Sequence, residues 1–356
     1  ELSSRFPGTG GVYVYLREAY GDLVAFLYGW CILTVITSGA LAGLCLVFSR
    51  YLCVVFHLDD GYQIPVALVE LTIVTVMNIF GVKYSSLFSS ELTVINIAGI
   101  ALIVVIALSF GHELTPNLTM QTAPTSYVWF GIALIGVLWS YGGWLHASYI
   151  GGEVVNAQKI MPKALFFGAL IVTITYMAVN VGLLSLLPYG EIASSKAIAA
   201  DALMKVTMTG GMLIAILIAI STFGTAGIYT LSAPRIYFMM GADKVFFPWL
   251  ADINAKYGTP TKAILLQSVW AVVLLLFWGT FESLSTYVVF MDWIFMTLAA
   301  ISVFIFRKRN PQSGEGQYKV PLYPITPIVF IAISGWFLIS TLIGRPIQTV
   351  AGLVLM

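Results

Sequence analysis

Trp139-Ser-Tyr-Gly-Gly-Trp-Leu-His-Ala-Ser-Tyr-Ile-Gly-Gly152 is the stretch on which the reading of this 356-residue chain turns. It lies inside a long apolar run that begins near Tyr127, yet it holds four glycines and several hydrogen-bonding side chains. A helix that crosses a bilayer satisfies its own backbone, and adjacent glycines at mid-depth only weaken it. Two readings fit such a break. One is a kink or a close helix crossing, where small residues let backbones approach. The other is a discontinuous helix whose freed backbone groups bind a solute. The residues of the stretch leave both open.

Its surroundings settle the solvent. Hydrophobic residues make up 59% of the chain, charged residues only 9%, and the mean hydropathy is +0.94. A water-soluble domain of this size could not cover its surface with so little charge. The apolar runs are long and unalternating, which excludes a β-barrel and predicts an all-α integral membrane protein. A net charge of +1 gives no basis for a nucleic-acid partner. Cys31, Cys45 and Cys53 lack metal-ligand spacing and imply no disulfide framework, so buried thiols are expected. The chain starts at Glu1 with no signal peptide and stops inside the apolar Leu342–Met356, so a piece of a larger protein is expected.

Working outward, Val12–Gly21 reads as a short interfacial helix, and full spans are predicted near 22–50, 64–80, 87–109, 127–151, 163–187, 211–238, 261–278, 284–306 and 324–343, with a partial span at the end. Pro162 suits the first turn of the helix that starts near 163. Of the 17 Lys and Arg residues, thirteen fall in or beside the loops 1–21, 81–86, 153–163, 239–262 and 307–322, and four on the other side. The positive-inside rule makes the first set cytoplasmic, and the Trp139 segment then runs from outside inward. Asn117-Leu-Thr119 is a glycosylation sequon in an outer loop, a pattern common enough by chance to carry little weight.

Within the spans, Asp292 is the formal charge placed far from an end. An acid there must meet a cavity, a cation or the bundle interior, as structural glue or as a coupling or binding group. Glu70 and Glu91 are read as lying nearer span ends, within reach of interfacial water. Asn96 is the most polar deep side chain of its span, and Ser221-Thr222-Phe-Gly-Thr225-Ala-Gly227 offers hydroxyls and small residues that suit either ion coordination or a helix crossing. Thr34, Thr37 and Ser38 pose the same alternatives. No zincin histidine pair and no phosphate-cradling GxxxxGK[ST] loop is present, so neither metal hydrolysis nor nucleotide-driven pumping is expected, and no cofactor.

Glu1-Leu-Ser-Ser-Arg-Phe-Pro-Gly-Thr-Gly-Gly-Val-Tyr13, Tyr141-Gly-Gly-Trp144, Gly152-Glu-Val with Lys159-Ile-Met-Pro162, and Ser232-Ala-Pro-Arg-Ile-Tyr-Phe-Met-Met-Gly-Ala-Asp243 together resemble amino acid/polyamine transporters of the APC superfamily. The nearest group is the L-type amino acid transporters with the bacterial serine/threonine and alanine/serine/cysteine exchangers. The resemblance implies an inverted five-helix repeat fold, here lacking the first helix and most of the second. Residues 1–110 would then hold the end of helix 2 and helices 3–5, residues 127–306 the complete second repeat, and residues 324–356 helix 11 and part of helix 12.

It also implies roles. Trp139 takes the aromatic gating position above an L-amino acid substrate, Ser140, Tyr141, Gly142 and Gly143 supply the unwound backbone that accepts from its ammonium, and Trp144 packs beneath. Asp292 stands where relatives often carry a pocket-facing asparagine. Ser221 and Thr222 stand where sodium-dependent members bind an ion. Asn96 replaces a lysine that many relatives place in the fifth helix, which makes a proton or sodium ion a coupling candidate. The connector 56–65 lacks the cysteine that joins eukaryotic relatives to a heavy subunit, so no disulfide-linked subunit is expected. The function implied is secondary amino acid transport in the cell membrane by exchange or proton/cation coupling. A cationic amino acid or polyamine permease and a non-transporting membrane sensor are the alternatives.

Overall fold

Apolar runs without charge wind into helices because a helix satisfies every backbone group internally, where lipid offers no partner. A computed structural model of the chain describes residues 1–6, 10–81, 96–107, 109–119, 126–144, 154, 156–309 and 318–356. Every regular element among these residues is helical. The order begins α1 (Leu2–Arg5), α2 (Val12–Tyr20), α3 (Asp22–Phe56), α4 (Gln63–Phe80), α5 (Asn96–Ala107) and α6 (Leu114–Thr119). It continues with α7 (Tyr127–Ser140), α8 (Ala157–Leu186), α9 (Tyr189–Ser194), α10 (Ile198–Val206) and α11 (Met208–Ser232). The chain closes with α12 (Pro234–Ala242), α13 (Thr261–Trp278), α14 (Phe281–Arg309), α15 (Ile325–Gly344) and α16 (Pro346–Leu355).

Seven described helical stretches are long and apolar enough to cross a membrane: Asp22–Phe56, Asp60–Phe80, Lys159–Leu186, Met208–Ala242, Thr261–Trp278, Phe281–Arg309 and Ile325–Gly344. Two of the nine complete spans expected from sequence do not appear as such. The span 87–109 is described only from Asn96 onward, and the span 127–151 ends as a helix at Ser140. Pro162 is also not a first-turn proline, because α8 begins at Ala157, after Asn156 at φ 53°. The missing Pro162 N–H therefore costs one hydrogen bond in the second turn.

Two compact units divide the chain. The first comprises Glu1–Leu41, Pro124–Ala169 and Tyr229–Met356, and the second Ala42–Ala123 and Leu170–Ile228. In the first, α2 is not the lipid-facing interfacial helix expected. Its apolar side chains Val12, Tyr13, Tyr15, Leu16 and Ala19 are buried in protein. α13 passes to α14 through Gly279, whose left-handed φ of 64° lets its N–H close on Leu275 O at 3.0 Å, a backbone conformation that favours glycine. In the second unit, Ile103 and Ala107 of α5 share a core with Leu186, Leu203 and Ile214.

Polar contacts gather the segments that the charge map assigns to one side. In the first unit Arg307 donates from Nε and Nη2 to the two Glu1 oxygens at 2.9 and 2.6 Å, and Val320 N donates to Glu1 Oε2 at 2.8 Å. Arg309 caps the end of α2 through Glu18 O and Ala19 O, and Arg17 reaches Asp243 at 2.7 Å. Three of the five segments read as cytoplasmic thus meet. In the second unit, Lys196 pairs with Asp60 at 2.6 Å and Asn117 joins the segment around Tyr189, gathering the outer loops. The amide of Asn117 is fully engaged: Nδ2 donates to Leu184 O and Leu187 O, and Oδ1 accepts from Tyr189 N. That fold-internal role accounts for the asparagine of the sequon.

Candidate substrate cavity

The α7 helix stops at Ser140 because Tyr141 takes a bridging conformation, φ −90° and ψ 0°, and Gly142–Trp144 tighten into a single 3₁₀ turn. The carbonyls of a helix end lack successors to pair with them, and the helix dipole adds partial negative charge there. This end is therefore suited to a cationic group. Ser140 does not contribute a pocket hydroxyl, since its Oγ donates back to Gly136 O at 2.9 Å. The side chain of Trp144, and all of Leu145–Glu153, lie outside the described residues.

Opposite this end, α3 contains a five-residue π-helix, Ile32–Ile36. The wider turn shifts the ladder of backbone bonds and leaves a carbonyl available to outside donors. Thr34 O accepts from Trp270 Nε1 at 2.6 Å and from the Tyr287 hydroxyl at 3.3 Å. The Thr34 hydroxyl returns to Trp30 O, and Ser38 Oγ lies 2.5 Å from Leu33 O, so two of the three hydroxyls noted in this span are spent on the backbone. The third, Thr37, lines a cavity.

That cavity, of about 40 Å³, lies wholly within the first unit. Its walls are Ile32, Ile36, Thr37 and Ala40 of α3, Leu138, Trp139 and Gly142 at the α7 break, Tyr229 of α11, and Val288, Val289, Asp292 and Trp293 of α14. α3 and α14 approach so closely that a methyl added at Gly39 would meet Val288 Cγ2 at 2.6 Å. Trp139 stands edge-on to Phe281 with centroids 5.2 Å apart, and Trp293 stacks on Phe330 at 5.3 Å. Asp292 Oδ1 is cut off from solvent and has no hydrogen-bonding partner among the described residues. The structure thus brings together Trp139, Gly142 and Asp292, which are 153 positions apart between first and last. An acid, a helix C-terminus and aromatic walls make a site complementary to an ammonium group carried on a compact apolar body.

The amino acid permease family model matches residues 1–352. The chain belongs to the amino acid permease family. Among relatives of this permease, the serine/threonine exchanger SteT of Bacillus subtilis (strain 168) is 34% identical over 348 residues, covering 96% of this chain and 78% of that protein. The b(0,+)-type amino acid transporter 1 of Rattus norvegicus is 27% identical, covering 97% and 72%. The cystine/glutamate transporter of Homo sapiens is 26% identical, covering 100% and 72%. The family and these relatives are transporters, not enzymes. This permease is an all-α, multi-pass protein of the cell membrane, and amino acids are its substrates.

The candidates for an ion site lie in the second unit. Asn96 Oδ1 is buried with no hydrogen-bonding partner among the described residues. A methyl added at Gly99 would lie 3.4 Å from Leu217, and Ile103 shares a core with Ile214, so α5 and α11 run antiparallel. One turn further along each helix, this register carries Asn96 to the level of Ser221. The Thr222 hydroxyl bonds Ile218 O and Ala219 O, and Ser221 O accepts from Thr225. Among the described residues no group of three or more His, Cys, Asp or Glu could hold a metal ion.

Glu70 is a correction. Sequence placement puts it near a span end with interfacial water, whereas it stands midway in Asp60–Phe80 and is 1% exposed, with no N–H or O–H donor to its oxygens among the described residues. The sequence signal was its place on the stripe Ala67, Glu70, Leu71, Val74, Thr75, Asn78 rather than its distance from the span end. Glu91 lies outside the described residues.

Proposed function

We propose that this permease exchanges L-amino acids across the cell membrane by alternating access, around a site formed by the broken end of α7 and Asp292. One observation carries the reading: Trp139, Gly142 and Asp292 line one cavity in the same unit as the π segment of α3. The backbone of Ser140, Tyr141, Gly142 and Gly143 receives the substrate ammonium, with Trp139 as the aromatic gate and Trp144 beneath. The inverted five-helix repeat supplies the alternation, with the second repeat in residues 127–306.

Small neutral side chains suit the apolar walls of Ile32, Ile36 and Val289. The relative named for serine and threonine exchange supports that class. A second reading, a carrier of cationic amino acids or polyamines, draws on Asp292 Oδ1 as a partner for a second cation. Asn96, Ser221 and Thr222 are the coupling-ion candidates, for a proton or sodium. No disulfide-linked heavy subunit is required: Cys53, the cysteine nearest the connector, is 4% exposed inside α3. The protein performs no catalysis on what it carries.

Reconstitution into proteoliposomes tests this. Counterflow of labelled serine or threonine without net uptake supports obligatory exchange. Net uptake driven by an imposed proton or sodium gradient would replace exchange with coupled transport. The absence of both for every amino acid of a labelled panel would leave the non-transporting sensor reading.

A further inference from the structure

Glu70 lies outside the candidate cavity, and the exchange reading makes no use of it. The side chain sits on the buried stripe of α4, while Val69, Ile73, Val76 and Met77 on the opposite side are exposed, as lipid-facing residues would be. Cys45 of α3, itself fully buried, is the titratable group that faces the carboxyl. The other polar groups of the same stripe turn to their own helix: Thr75 Oγ1 donates to Leu71 O at 2.6 Å and Asn78 Nδ2 to Val74 O at 2.9 Å. Among the described residues no cation pairs with Glu70 and no N–H or O–H group donates to either of its oxygens; the Cys45 thiol, a weak donor, is what faces them.

A carboxyl at membrane depth is a functional group by default. Ionised in this seam, 1% exposed, it would have lost its hydration with only a weak thiol donor and no partner charge among the described residues in exchange. A hard cation could neutralise it but takes several oxygen ligands, and the facing group is a thiol, a soft ligand. A proton takes one oxygen.

We propose that Glu70 is a proton-binding site of this permease, loaded and emptied as the seam between α3 and α4 closes and hydrates during transport. One carboxyl oxygen forms an O–H bond with a proton taken from water while the seam is wet. The bond persists while the seam is dry, and the proton returns to water when the seam next opens. Proton binding and the wet–dry equilibrium are then linked, so each shifts the other by the same factor. The link to turnover rests on the exchange reading; the proton site itself does not.

The test uses the intact protein in two assays. A protonated carboxyl in apolar surroundings adds its O–H across a C=N bond of dicyclohexylcarbodiimide, oxygen to carbon and proton to nitrogen, and the adduct rearranges to a stable acylurea that peptide mass spectrometry locates. An adduct at Glu70 that disappears as pH is raised from about 6 to about 9 is expected, and its absence overturns the proposal. In proteoliposomes, wild-type amino acid uptake is expected to change by about tenfold between pH 6 and 8, and that of Glu70→Gln by less than about twofold, with Glu70→Asp keeping the dependence. Identical pH profiles for wild type and Glu70→Gln overturn the proposal. If Glu70→Gln fails to fold, the wild-type adduct decides. Loss of all exchange in wild type, with pH-dependent labelling intact, sinks the exchange reading and leaves the proton site standing.

Discussion

Arg17 and Asp243, 226 positions apart, meet at 2.7 Å between Nη1 and Oδ2, and the Tyr13 hydroxyl donates to the same oxygen at 3.1 Å. Arg17 Nε also holds Asp22 Oδ1 at 2.8 Å. Burial first, and then the Asp243 charge, pushes the Tyr13 phenol well above its ordinary range, so it stays a neutral donor across physiological pH. The cluster ties the α2–α3 corner to the end of α12, on the side the charge map reads as cytoplasmic.

Breaking that tie is expected to loosen this corner without unfolding the protein. The side chains of Arg17 and Asp243 are 35% and 22% exposed, so solvent screening limits the pair to about 1 kcal/mol. Asp243→Asn should lower the apparent melting temperature of the purified protein by on the order of 2–4 °C. An unchanged melting temperature would show that the cluster bears no load.

Glu1 and Arg307 give a pH-dependent counterpart. Burial by itself would raise the Glu1 carboxyl, but the Arg307 hydrogen bonds and the Val320 N–H outweigh it and hold it below its usual 4.5. A group depressed in the folded state stabilises above its unfolded value and loses that contribution as pH falls through its folded one. Wild type should therefore lose stability progressively below about pH 4.5. Glu1→Gln should be less stable at pH 7 by about 1.5–3 kcal/mol and lose the acid-side slope contributed by this group. Thermal melts of both proteins from neutral to acid pH measure this.

Asp292→Asn keeps the shape of the cavity wall and removes its charge. If the carboxylate meets the substrate ammonium, losing a charge-assisted bond costs about 1.5–3 kcal/mol, or roughly 10- to 150-fold in half-saturating substrate. Counterflow at varied substrate concentration, with serine and lysine compared, reads it. Unchanged affinity, selectivity and pH dependence would remove Asp292 from both the binding and the coupling roles.

Gly131 of α7 faces the Cβ and Oγ of Ser340 on α15. A methyl there meets an atom fixed to the partner backbone, so the helices must separate. Gly131→Ala is expected to cost about 1–3 kcal/mol. Gly136→Ala, where open space surrounds the position, should cost nothing from overpacking. Equal stability of the two variants would contradict the close crossing.

Seven of the nine complete spans, and the anomaly of the Trp139–Gly152 stretch, were legible in the residues alone; the stop of α7 at Ser140 was not. Both depend on local properties: apolar run length, and two glycines beside an aromatic pair. Asp292 could be recognised as anomalous on the same basis. The π segment of α3 could not, because Ile32–Ile36 is an ordinary apolar run. Its displaced carbonyl needs donors from Trp270 and Tyr287, more than 200 positions away. Glu70 was visible but misplaced, since distance from a span end does not say whether a side chain meets water or a neighbouring helix. The same holds for Val12–Tyr20, whose amphipathic pattern fits a lipid surface and a protein groove equally well. Hydropathy is summed along the chain, so the sequence by itself determined which segments enter the membrane. Partners come from across the fold, so only the tertiary structure decided that Asp292 lines the same cavity as Trp139, that Arg17 holds Asp243, and that Glu70 meets no cation among the described residues.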